Sequence, residues 1–436
     1  YVVELLRELG KRPDVEKVTL LTRRIADQGV SKDYHEPVEV LSDKAQIIRI
    51  DCGEDTYLPK EALWDSLDNF ADHALEYINK NLRLPDIIHS HYADAGYVGQ
   101  RLSHQLNIPL IHTGHSLGRC KRKRLLASGL KRDDIEQRYN MSRRIDAEEE
   151  VLGAAAFTIT STRQEIIEQY GMYDYYLPNK MHVIPPGTDL EQFYPPQGGE
   201  FNTDIFHDIS RFLETPTKPI ILALSRPDQR KNINTLVEAY GESEELKKVA
   251  NLVIIAGNRD EIRDMDNGTQ DVLTEVFLSI DSYDLYGHIA YPKHHRPEDV
   301  PVIYRLTAAS GGVFVNPALT EPFGLTLIEA AASGVPVVAT EDGGPKDIID
   351  NCHNGYLIDP LDKQAITDAL LKLLLDRDEW SRLSNNGAQC VRHHYSWQAH
   401  ADKYISLVKE AVNKTEHIDK IETRRRPMLY LSLIHI

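Results

Sequence analysis

The chain has 436 residues, 41% of them hydrophobic and 27% charged, an ordinary globular balance with material for two or three domains. Acidic side chains outnumber basic ones by 67 to 50, and the resulting charge of −17 argues against nucleic acid and anionic membranes as partners. No apolar run approaches the roughly 20 residues of a membrane span, and four scattered cysteines suggest neither a disulfide framework nor a zinc site, which fits a reducing, cytoplasmic setting.

The first residues, 1–6, already read as the inside of an amphipathic helix, with no Met and no strand before them, as at a cut end. Short β-branched runs bounded by turn residues then predict buried parallel strands at 15–21, 46–51, 85–91, 109–113, 157–161 and 182–185. A second series falls at 219–224, 251–256, 285–289, 312–316, 336–340 and 355–358. Helix-period segments lie between them, such as 61–79, 133–152, 233–246 and 364–375. This βαβ alternation predicts an α/β fold of doubly wound, Rossmann-like sheets. It pauses once, at 195–219, a stretch rich in Pro, Gly and polar residues around a short helix at 204–213. The expected division is a first domain over 1–195, a linker over 196–218, a second domain over 219–395, a helix over 396–415 and a tail over 416–436. Within the tail, 431–436 is apolar and unlike the Arg424-Arg425-Arg426 stretch before it. It reads as a translated scar to be left out of fold reasoning, with a short amphipathic tail as the alternative. Two such domains facing each other place the natural ligand site in the cleft between the carboxyl ends of their strands.

The strongest local signal is Asn316-Pro317-Ala318-Leu319-Thr320-Glu321-Pro322-Phe323-Gly324-Leu325-Thr326-Leu327-Ile328-Glu329. A strand ends, a loop follows, and a helix starts near Gly324, whose first N–H groups form an anion site. Eight residues of helix rise about 12 Å, so Glu321 and Glu329 cannot act as one acid/base pair across a bond. They suit two parts of one long ligand, a nucleotide-sugar with its diphosphate on the helix terminus. A loop glutamate and a solvated helix glutamate are the plain alternative.

A second segment, Ser225-Arg226-Pro227-Asp228-Gln229-Arg230-Lys231-Asn232, follows the first strand of the second domain and opens a helix. The planar fork of Arg226 and the point charge of Lys231 suit a diphosphate, and would stabilise the charge on a departing nucleoside diphosphate. A third, Thr113-Gly114-His115-Ser116-Leu117-Gly118, has small residues that let the backbone approach a ligand while His115 projects into the cleft. Of three basic spots, 119–124 reads as a solvated cluster, whereas Arg23-Arg24 and Arg143-Arg144 suit phosphate capture. Asp264-Met265-Asp266 mimics a metal-binding Asp-x-Asp but sits in a charged run and reads as a solvated loop. Gly311-Gly312 and Gly343-Gly344 are turn glycines without the dinucleotide fingerprint, so hydride transfer has little support.

The span from Glu321 to Glu329 resembles the Glu-x7-Glu element of retaining GT-B glycosyltransferases of the family 4 type. Within that group, Leu21-Thr22-Arg23-Arg24-Ile25, Tyr57-Leu58-Pro59-Lys60-Glu61 and Tyr291-Pro292-Lys293-His294-His295, with the three segments above, resemble sucrose-phosphate synthases over about residues 1–413. Glu321-Pro322-Phe323-Gly324 favours these over sucrose synthases, where the Pro position is usually Ala.

The resemblance implies UDP-glucose as donor and fructose 6-phosphate as acceptor, giving sucrose 6-phosphate and UDP with retained configuration. It implies that Arg226 and Lys231 hold the diphosphate, Glu329 the ribose and Glu321 the transferred glucose. Phe323, Gly324 and Leu325 would lie along the donor, and His115 would contact the glucose 6-hydroxyl. Lys60 with Arg143 and Arg144 is implied as the acceptor-phosphate clamp, without a choice between the two arginines. A same-face mechanism is implied, in which the donor phosphate helps deprotonate the acceptor. Domain closure would exclude water. No cofactor or metal is required, and Mg2+ stimulation stays open.

The family's first strand and Gly-Gly-Gln loop precede the segment that resembles Tyr1-Val2-Val3-Glu4-Leu5 and are absent. The first sheet is therefore expected to lack a central member and expose edges, and the fragment to be weak or inactive. Thr423-Arg424-Arg425-Arg426-Pro427-Met428-Leu429-Tyr430 resembles the lead-in to a sucrose-phosphatase-like domain. The rival readings are a sucrose synthase or a GDP-mannose-dependent mannosylfructose-phosphate synthase on the same scaffold. A rival from another class is a non-catalytic sugar-nucleotide sensor, which would keep Arg226 and Lys231 and lose Glu321 or His115.

Overall fold

A computed structural model describes residues 1–416 and 428–436. The chain divides into two compact units, Tyr1–Pro185 with His400–Ile436, and Pro186–Ala399. Seven strands come first: β1 (Val15–Arg23), β2 (Val38–Val40), β3 (Ala45–Ile50), β4 (Ile87–His91), β5 (Leu110–Thr113), β6 (Phe157–Thr160) and β7 (Met181–Val183). The second unit holds β8 (Ile220–Leu224), β9 (Asn251–Ile255), β10 (Ile289–Ala290), β11 (Val313–Asn316), β12 (Val337–Thr340) and β13 (Gly355–Ile358), and β14 (Leu429–Ile434) follows far along the chain.

In the first unit the sheet order is β2-β3-β1-β14-β4-β5-β6-β7, parallel except for β2 at the edge. The helix Val2–Lys11 packs Leu5, Leu6 and Leu9 against β1 and β3, the spacing its apolar stripe predicts. In the second unit the order is β10-β9-β8-β11-β12-β13, all parallel. Successive residues there feed opposite faces: Ile220 and Leu222 enter one core, Ile221 and Ala223 the other. Helices cover both faces, which is why these strands read as continuous apolar runs. No described helix is long and apolar enough to cross a membrane.

The structure differs from the sequence expectation in several places. The position between β1 and β4, expected to be empty, is filled by β14, with Leu431 opposite Val18 on one side and Ile87 on the other. Residues 431–436, read as a scar, thus include a strand whose Leu431, Leu433 and Ile434 are fully buried. An apolar segment satisfies two open parallel edges that would otherwise present unpaired backbone groups. The expected lead-in residues Thr423 to Pro427 lie outside the described residues. The boundary expected at 195 falls at Pro185/Pro186, and the expected linker 196–218 belongs to the second unit, because its helix Asp204–Ser210 buries Ile205 and Ile209 in that core. The expected separate helix, observed as Trp397–Glu416, crosses back into the first unit at His400. There Asp402 pairs with Arg12 at 2.5 Å and Lys409 with Asp14 at 2.9 Å.

The predicted helix 133–152 is two, Arg132–Tyr139 and Met141–Ala154, broken where Asn140 adopts φ +46°. The predicted helix 233–246 breaks at Ser243, whose hydroxyl caps Leu246 N–H at 3.2 Å. Cys352 and Cys390 form a disulfide, contrary to expectation: the helices Gly344–Cys352 and Arg377–His394 pack together and bring residues 38 apart in sequence to a Cα separation of 5.2 Å. Arg23, expected to capture phosphate, is buried and holds the carbonyls of Cys52 and Glu54, while Arg24 pairs with Asp51 at 2.8 Å.

Candidate functional site

The strand order of the second unit reverses between β8 and β11, and ligands of open α/β sheets bind at such a switch point, outside the carboxyl ends of the strands. The segments 225–232 and 316–329 leave β8 and β11 there. Lys231 donates to Glu321 Oε2 at 2.7 Å, and Asn316 Nδ2 reaches the same oxygen at 3.0 Å. Main chain fixes the glutamate as well: its N–H donates to Asp342 O at 3.1 Å and its carbonyl accepts from Gly344 N–H at 2.9 Å. That approach needs glycine. A Cβ on Gly343, at φ +105°, would lie 2.0 Å from the Glu321 carbonyl, and one on Gly344 would lie 2.3 Å from that of Phe323. The pair read as turn glycines therefore clamps the predicted loop.

Gly324, at φ +103°, turns the chain into the helix Leu325–Ala332. The Phe323 side chain packs on the core and Leu325 stays exposed, so the backbone of this turn is what it offers a ligand. Glu329, on the same helix, accepts from the Tyr304 hydroxyl at 3.3 Å, and burial pushes its carboxyl up to about 7. Arg226 is exposed on the β8 loop. Beside it Arg230 grips Asp228 through two nitrogens, at 3.0 and 2.5 Å, and holds that carboxyl at about 2. Asn232, at φ +53°, ties this loop to the carbonyls of Pro317 and Pro360 at 3.0 and 2.8 Å.

The first unit holds a cavity of about 230 Å³ walled by Lys60, Glu61, Trp64, Tyr92, Ala93, Asp94, Ser116, Lys121, Tyr139 and Arg144. That is small for a ligand pocket, and three of its groups are cationic. Lys60 stands 4.0 Å over the Tyr92 ring and Lys121 stands 4.2 Å over that of Tyr139. Burial, and then Arg144, hold the Lys121 ammonium below the usual lysine range. Asp94 is 5% exposed, and burial raises its carboxyl against the pull of Lys60 and Arg144. Tyr92 (φ +73°) at the end of β4 and His115 (φ +56°) beyond β5 both hold left-handed backbone that side chains rarely adopt, a form of strain that clusters at functional sites.

The cavity brings Lys60 and Arg144 together but not Arg143, which reaches away to Asp65 at 2.6 Å and to the Trp64 carbonyl at 2.9 Å. His115 does not project alone. It meets His91 at 2.9 Å and stacks within a buried cluster that includes Tyr1, His89 and His400. Burial, then His112, hold its imidazole at about 3, so it is neutral. Gly114 and Gly118 make close approaches, but to protein: a Cβ would lie 2.6 Å from the Tyr170 hydroxyl and 2.9 Å from Glu148 Oε2, respectively.

The basic run 119–124, read as solvated, is split. Arg119 is absorbed by Glu149, Asp174 and the Met172 carbonyl, while Lys121 lines the cavity. Asp266 caps the helix Asn267–Ser282 by accepting from Thr269 N–H at 3.1 Å, which explains the Asp-x-Asp decoy locally. Lys121, Asp94 and Glu148 escaped the sequence reading. The one signal available was the polar His89-Ser90-His91 in a buried strand, where apolar residues are the rule.

Two families match. "Sucrose synthase first GT-B domain" covers residues 8–194, and "Glycosyl transferases group 1" covers 205–390. Sucrose-phosphate synthase 4 of Arabidopsis thaliana is 45% identical over 95% of this chain, and the sucrose-phosphate synthase of Zea mays 45% over 94%. The chain spans only 45% and 44% of those two proteins. A solved sucrose-phosphate synthase from Thermosynechococcus elongatus superposes with a TM-score of 0.66 at 24% identity, covering 91% of this chain and 99% of that one. Paired Rossmann-like sheets, site loops at the switch point and these relatives together place the chain in the GT-B glycosyltransferases, as a homologue of the sucrose-phosphate synthases.

Proposed function

We propose that this chain transfers the glucosyl group of UDP-glucose to fructose 6-phosphate, giving sucrose 6-phosphate and UDP with retained configuration. The observation that carries the reading is the convergence of Lys60, Lys121 and Arg144 on one small cavity, a recess suited to a single phosphorylated sugar. Its polar wall, with Asp94 and Tyr139, would take the sugar hydroxyls. The relatives, called sucrose-phosphate synthases, supply the product.

On the donor side Arg226 and Lys231 would meet the diphosphate together with the first N–H groups of the helix Leu325–Ala332. Glu321 would bind the glucosyl hydroxyls and Glu329 the ribose. The bond from sugar C1 to the β-phosphate oxygen breaks, the acceptor oxygen bonds to C1, and its proton passes to the departing diphosphate. These cations would carry the charge on the diphosphate, so turnover should persist in the presence of a chelator, whether or not Mg2+ stimulates it. Cytoplasmic placement belongs to the same reading; the Cys352–Cys390 bond is the feature that runs against it.

The test is UDP release from UDP-glucose with fructose 6-phosphate and fructose offered in parallel. Release that depends on the phosphate ester supports the reading. Equal release with fructose would assign a sucrose synthase, and bound UDP without release under either acceptor would leave a sugar-nucleotide sensor.

A further inference from the structure

We propose that Glu148 is the positioning residue of the first unit's cationic pocket: buried behind it, this carboxylate fixes both the Arg144 guanidinium and the start of the helix that carries Lys121. The inference rests on reading that pocket as the acceptor-phosphate site.

Glu148 is 1% exposed and follows Arg144 by one helical turn in Met141–Ala154. Its Oε1 accepts from Arg144 Nε at 2.9 Å and from Gly118 N–H at 3.0 Å. Its Oε2 accepts from Gly118 N–H at 2.9 Å and from the Tyr173 hydroxyl. That hydroxyl in turn accepts from Arg119 N–H at 3.1 Å. The first two N–H groups of the helix Gly118–Ala127 are thus engaged from inside the protein. A helix start usually offers those groups to an external anion. Here the protein's own carboxylate takes that place, in the orientation the helix dipole favours. A ligand anion must then be met by side chains, and Lys121, one turn on, is the one that reaches the cavity.

The same carboxylate aims Arg144. With Nε on Glu148 and Nη2 on the Ser116 carbonyl at 2.5 Å, two corners of the guanidinium are tied, which orients its remaining Nη1. Gly118 permits the arrangement, since a Cβ there would come within 2.9 Å of Glu148 Oε2 and 2.8 Å of Ile145 Cγ1. An apolar side chain would fill the space of Glu148, but it would orient neither group. Burying a carboxylate is unfavourable unless it is fully hydrogen-bonded, as this one is. Asp94 and Glu61 remain in the pocket wall, so removing the Glu148 charge tests geometry more than overall potential.

The test measures binding of fructose 6-phosphate, inorganic phosphate and UDP to the whole chain by calorimetry, for wild type, Glu148→Gln, Arg144→Ala and the double variant, with Tm recorded for each. Glu148→Gln keeps the size but removes the charge opposite Arg144 and leaves one acceptor oxygen, so the Tyr173 hydroxyl must reverse to accept from the amide instead of donating to it. The expected result is a loss of about tenfold or more for both phosphate ligands, UDP binding unchanged within about twofold, and a smaller loss on the Arg144→Ala background. Glu148→Asp, which keeps the charge, should recover part of the affinity. Phosphate binding equal to wild type in Glu148→Gln, or losses that multiply fully with Arg144→Ala, would overturn the positioning role alone. So would a uniform loss that includes UDP and follows Tm. A wild-type chain that binds the phosphate ester no better than fructose would overturn the pocket reading itself, and this inference with it.

Discussion

The two units assemble their charged groups in opposite ways. In the second, the groups sit on two contiguous loops, and the sheet does the rest by laying β8 beside β11, so that Lys231 meets Glu321 across 90 residues of sequence. In the first, the cavity takes Lys60 from one loop, Asp94 from the start of a helix, and Lys121, Tyr139 and Arg144 from three more helices. A site made of loops at a switch point leaves motifs, whereas a site made by convergence of single side chains leaves almost none. The units differ in the same sense as folds, because the first takes a central strand from far along the chain and the second is continuous.

That last contrast carries the largest expected effect. Leu433→Asp would place a charge in a fully buried strand, a change that typically costs several kcal/mol against a total stability of about 5–15 kcal/mol. Two thermal transitions are expected, with the first unit's lowered by about 10 °C or more and UDP binding retained by the second. An unchanged melt would mean that β14 is dispensable and would remove the contrast. Next in size is the Lys231–Glu321 ion pair. Lys231→Ala and Glu321→Ala should each lower transfer by about 10²–10³-fold, as expected for a preorganised charge, with Tm little changed. Steady-state rates and a melt on each variant decide it.

How much was legible follows the same division. The two rounds of βαβ alternation, and the placing of the Arg226–Lys231 and Glu321–Glu329 segments at strand ends, could be read directly, because periodicity and strand-end motifs are local. Lys60 was legible only through family resemblance, and Arg144 only as one of a basic pair suited to phosphate, with nothing local to separate it from Arg143. Lys121 was misread with its run, since one lysine of a basic helix turns inward while Arg119 is spent on Glu149 and Asp174. The Cys352–Cys390 bond and β14 escaped because both depend on packing between segments distant in sequence.

The first-unit pocket can be tested with smaller effects. Lys60→Ala and Arg144→Ala should raise KM for fructose 6-phosphate by about tenfold to a hundredfold, the range for losing a charge-assisted contact, with kcat little affected. Arg143→Ala, which loses an ion pair to the exposed Asp65, should change either constant by less than about twofold. If Arg143 proved as sensitive as Arg144, the cavity would not be the acceptor site. If Lys60→Ala hurt fructose and its phosphate ester alike, the phosphate clamp would be misplaced.

The smallest effect concerns Glu329, and its sign separates binding from stability. Burial raises its carboxyl from 4.5 to about 7, against the smaller opposing pull of the Tyr304 hydroxyl. Between those values the native state binds more protons than the unfolded chain, so its contribution to stability falls as pH rises through that window. Binding should go the other way, because an ionised carboxylate accepts from ribose hydroxyls more strongly than the neutral acid does. At pH 6 only about one-tenth of the carboxyl would be charged, so UDP affinity should drop by up to about tenfold relative to pH 8. The nucleotide's own phosphate also titrates there, so the informative quantity is the ratio of wild type to Glu329→Gln at each pH, which cancels it. A ratio that rises with pH while the wild-type Tm falls relative to the variant assigns the ribose to Glu329. A flat ratio would make this glutamate a helix residue packed beside Tyr304, and would leave the motif with one functional carboxylate, Glu321.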